Sequence, residues 1–576
     1  MKKLLNSRIG LLLLFVWVVQ PVTLEAVRLK STPTKGFSFD FERWPYPLHA
    51  EVNARLQELA RKFPAIARTL IIGKTGEGRE LMVIEITNRG TGAGESKPGL
   101  WMDGNMHLGE ETGRLYLAYF MERLLFEYGK NPDATRLVDT HTFYVLPVFD
   151  ADGGERMLTL HPVWPGYRPE QHAGRDLDGD GYITQMRVKD DSKKGGYRFY
   201  LEGPGVESPE ADPLLREKRI RSELTGEREG TDFNRNWSAE WEPQEAGAGP
   251  HPFSLPEVRA VADFIASHPN IFFAYNIHSG GGARSYMVRP PMNHPDDFMP
   301  LEDNDFYARI GAIWSALSEG GLMQTNYMSW NFNSRAPVPG EGTWVNGRCR
   351  YTGFMIDWCY MHQGIHCLTP EVEGSAPDYN GDGFIRPDEI ERWLEEEKRG
   401  QYFSPWKPYH HPVLGPVEIG GSRGVPPALG GTAQMHSEWQ YDLVLQIADF
   451  SPQLRITDLK SEPISDGKYR VAASLQNQGF LATYGTLQAI KIRRDYPVNA
   501  RIQVIGGELV EGAAVQNVGH LPGKLTIIGR WSNGEEPPAK IVEWTIRATG
   551  TEPLKVSVEA VAPKAGRDQR TIMINK

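Results

Sequence analysis

RELMVIEIT (79–87), GLWMDGNMH (99–107), GRLYLAYFMERLLFEYG (113–129) and TFYVLPVF (142–149) follow one another and predict strand, strand, helix and strand. The strands are short, rich in Val, Ile and aromatic residues, and end in turn-forming residues. The longer run between them reads as a helix. Upstream, Val52, Leu56, Leu59 and Phe63 recur at helical spacing. Downstream, a helix is expected to begin near Ser254 with Pro256 in its first turn, followed by the strand IFFAYNIH (271–278). This alternation predicts an α/β fold: a mixed, mostly parallel sheet with helices on both faces. Two polar, Gly-rich stretches near residues 153–230 and 325–350 read as loop insertions on that scaffold. From about residue 452 the period changes to two, with Val471, Ala473 and Leu475, and later Leu554, Val556, Val558 and Ala560, alternating with other residues. A C-terminal all-β sandwich is expected there, joined through the helical run HSEWQYDLVLQIADF (436–450).

A chain of 576 residues with 40% apolar composition calls for more than one folded core. With 63 Lys and Arg against 73 Asp and Glu, the formal charge is −10, and no basic stretch interleaves with aromatics as a nucleic-acid surface requires. Residues 1–26, MKKLLNSRIGLLLLFVWVVQPVTLEA, place two lysines before an apolar run too short to span a bilayer, the pattern of an export signal. The expected division is therefore a signal peptide at 1–26, a catalytic domain at 27–451 and a β-sandwich at 452–576. A secreted or periplasmic location without a membrane span in the mature chain follows. The three cysteines, Cys349, Cys359 and Cys367, are too few to form a disulfide scaffold, although one bridge among them fits an oxidising compartment.

The chemistry begins in GNMHLGEETGR (104–114), where His107 and Glu110 stand three residues apart just past a predicted strand. His278 closes a second strand in IFFAYNIHSGG (271–281). Two imidazoles and one carboxylate, a close pair plus a distant third, suit a catalytic zinc ion with its fourth position left for water. A structural zinc would favour a Cys-rich shell, and none is available.

These segments resemble the zinc carboxypeptidases whose archetype is carboxypeptidase A, and the wording of GNMH..E..GR is especially similar to the carboxypeptidase D-like branch. The resemblance runs over roughly residues 45–415 in the right order: PVFDADG (147–153), TDFNRNW (231–237), IHSG (277–280), GFMIDWCY (353–360) and LTPEVE (368–373). It implies a metallocarboxypeptidase that releases C-terminal residues from peptides carrying a free C-terminal carboxylate. By the same resemblance Glu371 is the general base and acid, with Glu373 as fallback, and Pro370 is an unusual neighbour for it. Asn234 and Arg235 bind the terminal carboxylate, for which a planar guanidinium is well matched. Asp232 orients a zinc-bound imidazole. The oxyanion-polarising arginine falls on Arg168, with Arg187 left open. Tyr351 stands near the position of the capping tyrosine, two residues closer to IDW than usual. Ile356 occupies the base of the side-chain pocket and argues against strict Lys or Arg preference, whereas Arg284 or Arg289 would favour acidic ends.

DYNGDGFIRPDE (378–389) sets Asp378, Asn380, Asp382 and Glu389 around Gly383 with the twelve-position spacing of a calcium loop. Asp176, Asp178 and Asp180 begin the same pattern, but Arg187 stands where the closing acid belongs. Calcium at either loop would be structural. Three other functions fit the same residues: a γ-glutamyl or diaminopimelate hydrolase acting on peptidoglycan peptides, a deacylase of N-acyl amino acids, and a non-catalytic binding protein on a peptidase scaffold.

Overall fold

The computed structural model describes residues 31–41, 47–107, 110–159, 176–181, 184–192, 196–199, 231–243, 247–279, 286–292, 299–318, 322–324, 343–345, 348–350, 352–372, 379, 389, 392–393, 396, 403–412, 414–422, 430–465, 467–525, 536–549 and 553–575. Its strands in chain order begin with β1 (Ala67–Lys74), β2 (Glu80–Ile86), β3 (Gly99–Gly104) and β4 (Thr142–Leu146). There follow β5 (Gln185–Lys189), β6 (Tyr197–Phe199), β7 (Ile271–Ile277), β8 (Tyr286–Val288), β9 (Leu322–Gln324), β10 (Thr343–Val345), β11 (Arg348–Arg350) and β12 (His366–Glu371). The eight-stranded main sheet has the order β1-β2-β4-β3-β7-β12-β8-β9. Its centre, β4-β3-β7-β12, is parallel; β2 and β8 flank it running the opposite way, and β1 pairs antiparallel with β2.

Every residue of β3, β4 and β7 is buried, which explains why these strands read as continuous apolar runs and not as alternating ones. Met102, Val145, Phe273 and Tyr275 face one core with the helices His49–Lys62, Thr112–Glu127, Pro132–Thr140, Leu301–Leu317 and Gly430–Asp449. Trp101, Tyr144 and Ala274 face the other, against the helices Pro256–Ser267 and Met355–Gln363. The expected α/β layering with helices on both faces is therefore present.

The stretch read as a loop insertion after residue 153 contains more order than its composition suggests. It opens with the helix Ala151–Thr159, and β5 and β6 join β13 (Phe403–His411) and β14 (Gly415–Ser422) in a separate sheet ordered β13-β14-β5-β6. Its small core is Met186, Val417 and Ile419.

The C-terminal segment comprises β15 (Leu454–Ser465), β16 (Lys468–Asn477), β17 (Val498–Ile505), β18 (Gly507–Glu511), β19 (Val515–Gly519), β20 (Lys540–Ala548), β21 (Leu554–Ala562) and β22 (Gly566–Ile574). Two antiparallel sheets, β15-β16-β20-β18 and β19-β17-β21-β22, enclose Ile456, Val471, Leu475, Trp544, Val556 and Val558. This is the expected sandwich, with one short helix, Leu487–Lys491, that the strand-like patterning did not announce. Among the described residues no helix is long and apolar enough to cross a membrane.

Candidate metal centre

The carboxyl ends of β3, β7 and β12 meet at one point, the usual place for a site in an open α/β sheet. At the end of β3 the chain turns through Asn105, held at φ +54. Its Nδ2 donates to the carbonyl of His107 at 2.7 Å, and its Oδ1 accepts from Arg114 Nε at 2.6 Å. Its own carbonyl accepts from the Asp150 amide at 2.9 Å. Gly104 lets the next helix start against the strand end, because a Cβ there would stand 2.8 Å from the Gly113 backbone. This tight crossing brings Glu110 back beside His107.

Glu110 Oε1 lies 2.8 Å from His107 Nδ1, and its Oε2 lies 3.1 Å from His278 Nδ1. The three donor atoms are mutually within 4.8 Å, Glu110 is 7% exposed and His278 1%. The far nitrogens are also engaged. His107 Nε2 is 3.2 Å from Asp232 Oδ1, which in addition accepts the Asn234 amide at 2.7 Å. His278 Nε2 is 2.6 Å from Asn276 Oδ1, while Asn276 Nδ2 donates to the carboxylate of Asp103, itself held by Trp101 Nε1 at 2.6 Å.

These second contacts decide the tautomers. An oxygen acceptor at each Nε2 requires a proton there, and the Asp103 carboxylate fixes which end of Asn276 faces His278. Both Nδ1 lone pairs then point at the Glu110 carboxylate, an arrangement that is repulsive unless a proton or cation lies between. A single divalent cation satisfies all three donors at once, so the residues fit a zinc ion. The charges lean the same way. Burial disfavours the Glu110 carboxylate, but His107 and His278 outweigh it and bring its pKa down. Burial likewise opposes the His107 cation, yet Glu110 and Asp232 raise it well above the usual range. Asp232, despite burial, is lowered by Arg235 and His107.

Glu371 is brought to this point by backbone pairing. His278 and Glu371 form a parallel bridge, in which the His278 amide donates to Pro370 O at 2.9 Å and the Val372 amide donates to His278 O at 3.1 Å. Pro370 has no amide proton to give and takes part in this pairing through its carbonyl. Burial and the neighbouring Glu110 push Glu371 up to about 7, against the pull of His278 and His107.

Asn234 and Arg235 lie on the turn after Asp232, against the start of the helix Met355–Gln363. Asn234 Oδ1 accepts the Met355 amide at 3.0 Å, and the Arg235 guanidinium sits 4.5 Å from the centre of the Phe354 ring and 3.8 Å from Asp232 Oδ2. Ile356, in the first turn of that helix, is 2% exposed. Arg187 is engaged elsewhere, bonded to Glu418 at 2.7 Å between the rings of Tyr197 and Trp406 in the β13-β14-β5-β6 sheet. Arg289 donates to Pro290 O and lies toward Met299 and Tyr307, residues of the core across the sheet from Ile356. Cys359 and Cys367 are buried free thiols, so no bridge joins these two members of the cysteine cluster. Asp176, Asp178 and Asp180 bring carboxylate oxygens within 4.8 Å of one another, with Lys407 3.4 Å from Asp178. Arg168, Tyr351, Glu373, Arg284, Asp378, Asn380 and Asp382 lie outside the described residues, while Glu389 is buried. A cavity of about 490 Å³ at the seam with the sandwich is lined by Lys97, Asp139, His141, Arg455 and Arg567, and involves none of the residues around His107.

The sequence reading missed Asp103, Asn276 and Asn105. Asp103 and Asn276 are direct register partners across β3 and β7, so their side chains share a face. The available signal was one polar residue in each of two otherwise apolar strands, four and two positions before a metal-ligand candidate.

A family model described as "Zinc carboxypeptidase" matches residues 52–399, and one described as "Domain of unknown function (DUF8731)" matches residues 453–573. The chain is 31% identical over 342 residues to carboxypeptidase Z of Homo sapiens, covering 58% of this chain and 46% of that protein. It is 22% identical over 277 residues to carboxypeptidase A2 of Rattus norvegicus, covering 47% and 52%. The chain thus spans about half the length of the curated relatives it matches. Among solved structures, the carboxypeptidase A from Helicoverpa armigera aligns with a TM-score of 0.41 and 17% identity over 73% of this chain and 76% of that one.

Proposed function

The chain belongs to the zinc carboxypeptidase family, and on that premise we propose that it is a zinc-dependent exopeptidase removing C-terminal residues from peptides, with His107, Glu110 and His278 as the metal ligands. The observation that carries this reading is the pair of Nδ1 lone pairs converging on one buried carboxylate, with Glu371 bridged to His278 alongside. Zinc, when bound, supplies Lewis acidity that polarises a carbonyl and lowers the pKa of water.

The remaining chemistry belongs to side chains. Glu371 takes the proton of the attacking water and returns it to the leaving nitrogen, a role suited to a carboxylate whose burial raises its affinity for protons. Asp232 and Asn276 hold the two imidazoles in the tautomer that presents Nδ1. Asn234 and Arg235 receive the terminal carboxylate of the substrate, and Arg168 polarises the scissile carbonyl, with Tyr351 closing over the substrate and Ile356 at the base of its side-chain pocket. We place the enzyme outside the cytoplasm on the export pattern of residues 1–26, with the catalytic domain at 27–451 and the sandwich at 452–576. The loop of Asp378, Asn380, Asp382 and Glu389 is assigned a structural calcium ion, which a calcium-dependent rise in melting temperature tests.

The functional reading is tested by C-terminal residue release from acyl-dipeptides, with γ-linked muropeptides in parallel, using native, chelated, zinc-restored and Glu371→Gln protein. Release should vanish on chelation, return with zinc and remain absent in the variant. Release that survives both chelation and the substitution overturns the mechanism, and release from muropeptides alone reassigns the substrate.

A further inference from the structure

The sandwich does more than follow the peptidase unit in the chain. It grips the far end of the helix Met355–Gln363, whose first turn carries Ile356 and whose first amide is bound by Asn234. The helix ends at Gly364 in the left-handed conformation, φ +63, and leads within two residues into β12 and so to Glu371. A helix end leaves carbonyls in need of donors. The Gly364 and Ile365 amides serve the carbonyls of Tyr360 and Cys359, and further donors come from the C-terminal segment. Thr486 Oγ1 and Lys564 Nζ both donate to Gly364 O at 2.9 Å, Gln488 Nε2 donates to Met361 O at 3.1 Å, and Arg494 Nη1 donates to Gln363 Oε1 at 2.7 Å.

The fit leaves no slack. A Cβ on Gly364 would stand 2.5 Å from the Cα of Ala489. Asp303 ties the same corner from the side, accepting from the Leu487 amide at 2.8 Å and the Tyr360 hydroxyl at 2.8 Å. Lys564 is 1% exposed, an uncommon place for a lysine unless its donors are used. Burial pulls its ammonium down to about 7 against Asp495 and Asp303, and the amine remains a donor to Gly364 O in either protonation state.

We propose that the C-terminal β domain is a specificity-setting brace, which caps the helix Met355–Gln363 from a separate domain of the same chain and thereby fixes the height of Ile356 and of the Asn234–Arg235 turn relative to the metal centre. Thr486, Gln488, Arg494 and Lys564 are positioning residues in this account, since none touches substrate. The inference rests on the carboxypeptidase reading above. It predicts that loosening the brace blurs recognition of the C-terminal side chain while leaving the hydrolytic apparatus in place.

The test uses the full-length, zinc-loaded chain and acyl-dipeptides ending in Phe, Leu or Gly. Lys564→Met and Thr486→Val should raise KM for the bulky ends roughly tenfold with kcat changed by no more than about twofold, so that the kcat/KM advantage of bulky ends over Gly shrinks. Thr486→Ser, which keeps the hydroxyl, should behave as wild type. Should Lys564→Met not fold, Thr486→Val and the milder Arg494→Gln decide on the same readout. Folded variants with the wild-type KM and wild-type Phe-to-Gly ratio overturn the brace, even where their melting temperatures fall. A wild-type chain that cleaves none of the dipeptides instead sinks the functional reading, a separate outcome.

Discussion

Replacing Asn276 by Leu should weaken zinc binding without touching a ligand. Asn276 is fully buried, its Oδ1 receives His278 Nε2 at 2.6 Å, and its Nδ2 serves the Asp103 carboxylate. Leu occupies similar space and offers neither group, so one imidazole N–H and one carboxylate oxygen lose their partners inside the sheet. An orphaned buried polar group costs about 1–3 kcal/mol, so two of them put the metal-free Asn276→Leu chain roughly 2–6 kcal/mol below wild type in stability. The loss specific to the metal is the part that depends on His278 presenting Nδ1. Outer partners of this kind are worth about 10–100-fold in affinity, or roughly 1.4–2.8 kcal/mol. Competition against a chromophoric zinc chelator at fixed pH measures it, and thermal melting of the metal-free chain measures the rest. The double exchange Asp103→Asn with Asn276→Asp keeps an acceptor for His278 and for Trp101 and reverses only the bond between the two side chains. It should bind zinc to within about threefold of wild type. Zinc affinity unchanged in Asn276→Leu, or equally poor in the double exchange, refutes the reasoning.

Glu371→Gln should lower kcat by about 10²–10⁴-fold while zinc content by elemental analysis stays at the wild-type level. Arg235→Lys exchanges a planar fork for a point charge, and should cut kcat/KM for free-carboxylate substrates by roughly 10-fold or more, with far less effect on C-terminally amidated analogues. His141 is buried, and burial together with Arg136 takes it from the ordinary 6.5 to about 3. The unfolded chain therefore binds a proton that the folded chain refuses, and acidification from pH 6.5 towards 3 removes about 1.4 kcal/mol per unit, approaching roughly 5 kcal/mol. His141→Gln should flatten that part of the acid-unfolding curve in denaturant titrations, and an identical pH dependence for both chains contradicts the assignment.

Much of the scaffold was legible because apolar runs such as IFFAYNI and TFYVL are bounded by turn residues and buried on both faces. The three metal-ligand candidates were legible because each sits at a strand end or in the turn beyond it, where polar residues have no packing role. Asp103 and Asn276 were not, since their partnership depends on the register of β3 against β7, which a single sequence does not state. Arg187 was read by its distance along the chain from the aligned motifs, but β5 carries it into a sheet with β14, more than two hundred residues later in sequence. That Ile356 lies in a helix held at its far end by Lys564 depends on a contact across two hundred residues, which no local pattern states. The loop-like composition after residue 153 hid β5 and β6 because β5 is held by β14, far along the chain, β6 joins the sheet through β5, and the small core takes Met186 from β5 against Val417 and Ile419 of β14.

The most direct test is zinc stoichiometry in the purified chain and in His107→Ala, Glu110→Ala and His278→Ala, with Asp178→Ala as the control at the other acidic cluster. One tightly held zinc per chain is expected in the wild type and the control, and a loss of tight binding in each of the three ligand variants. A full zinc complement in His278→Ala, or none in catalytically active wild-type protein, contradicts the central claim that His107, Glu110 and His278 hold one catalytic ion.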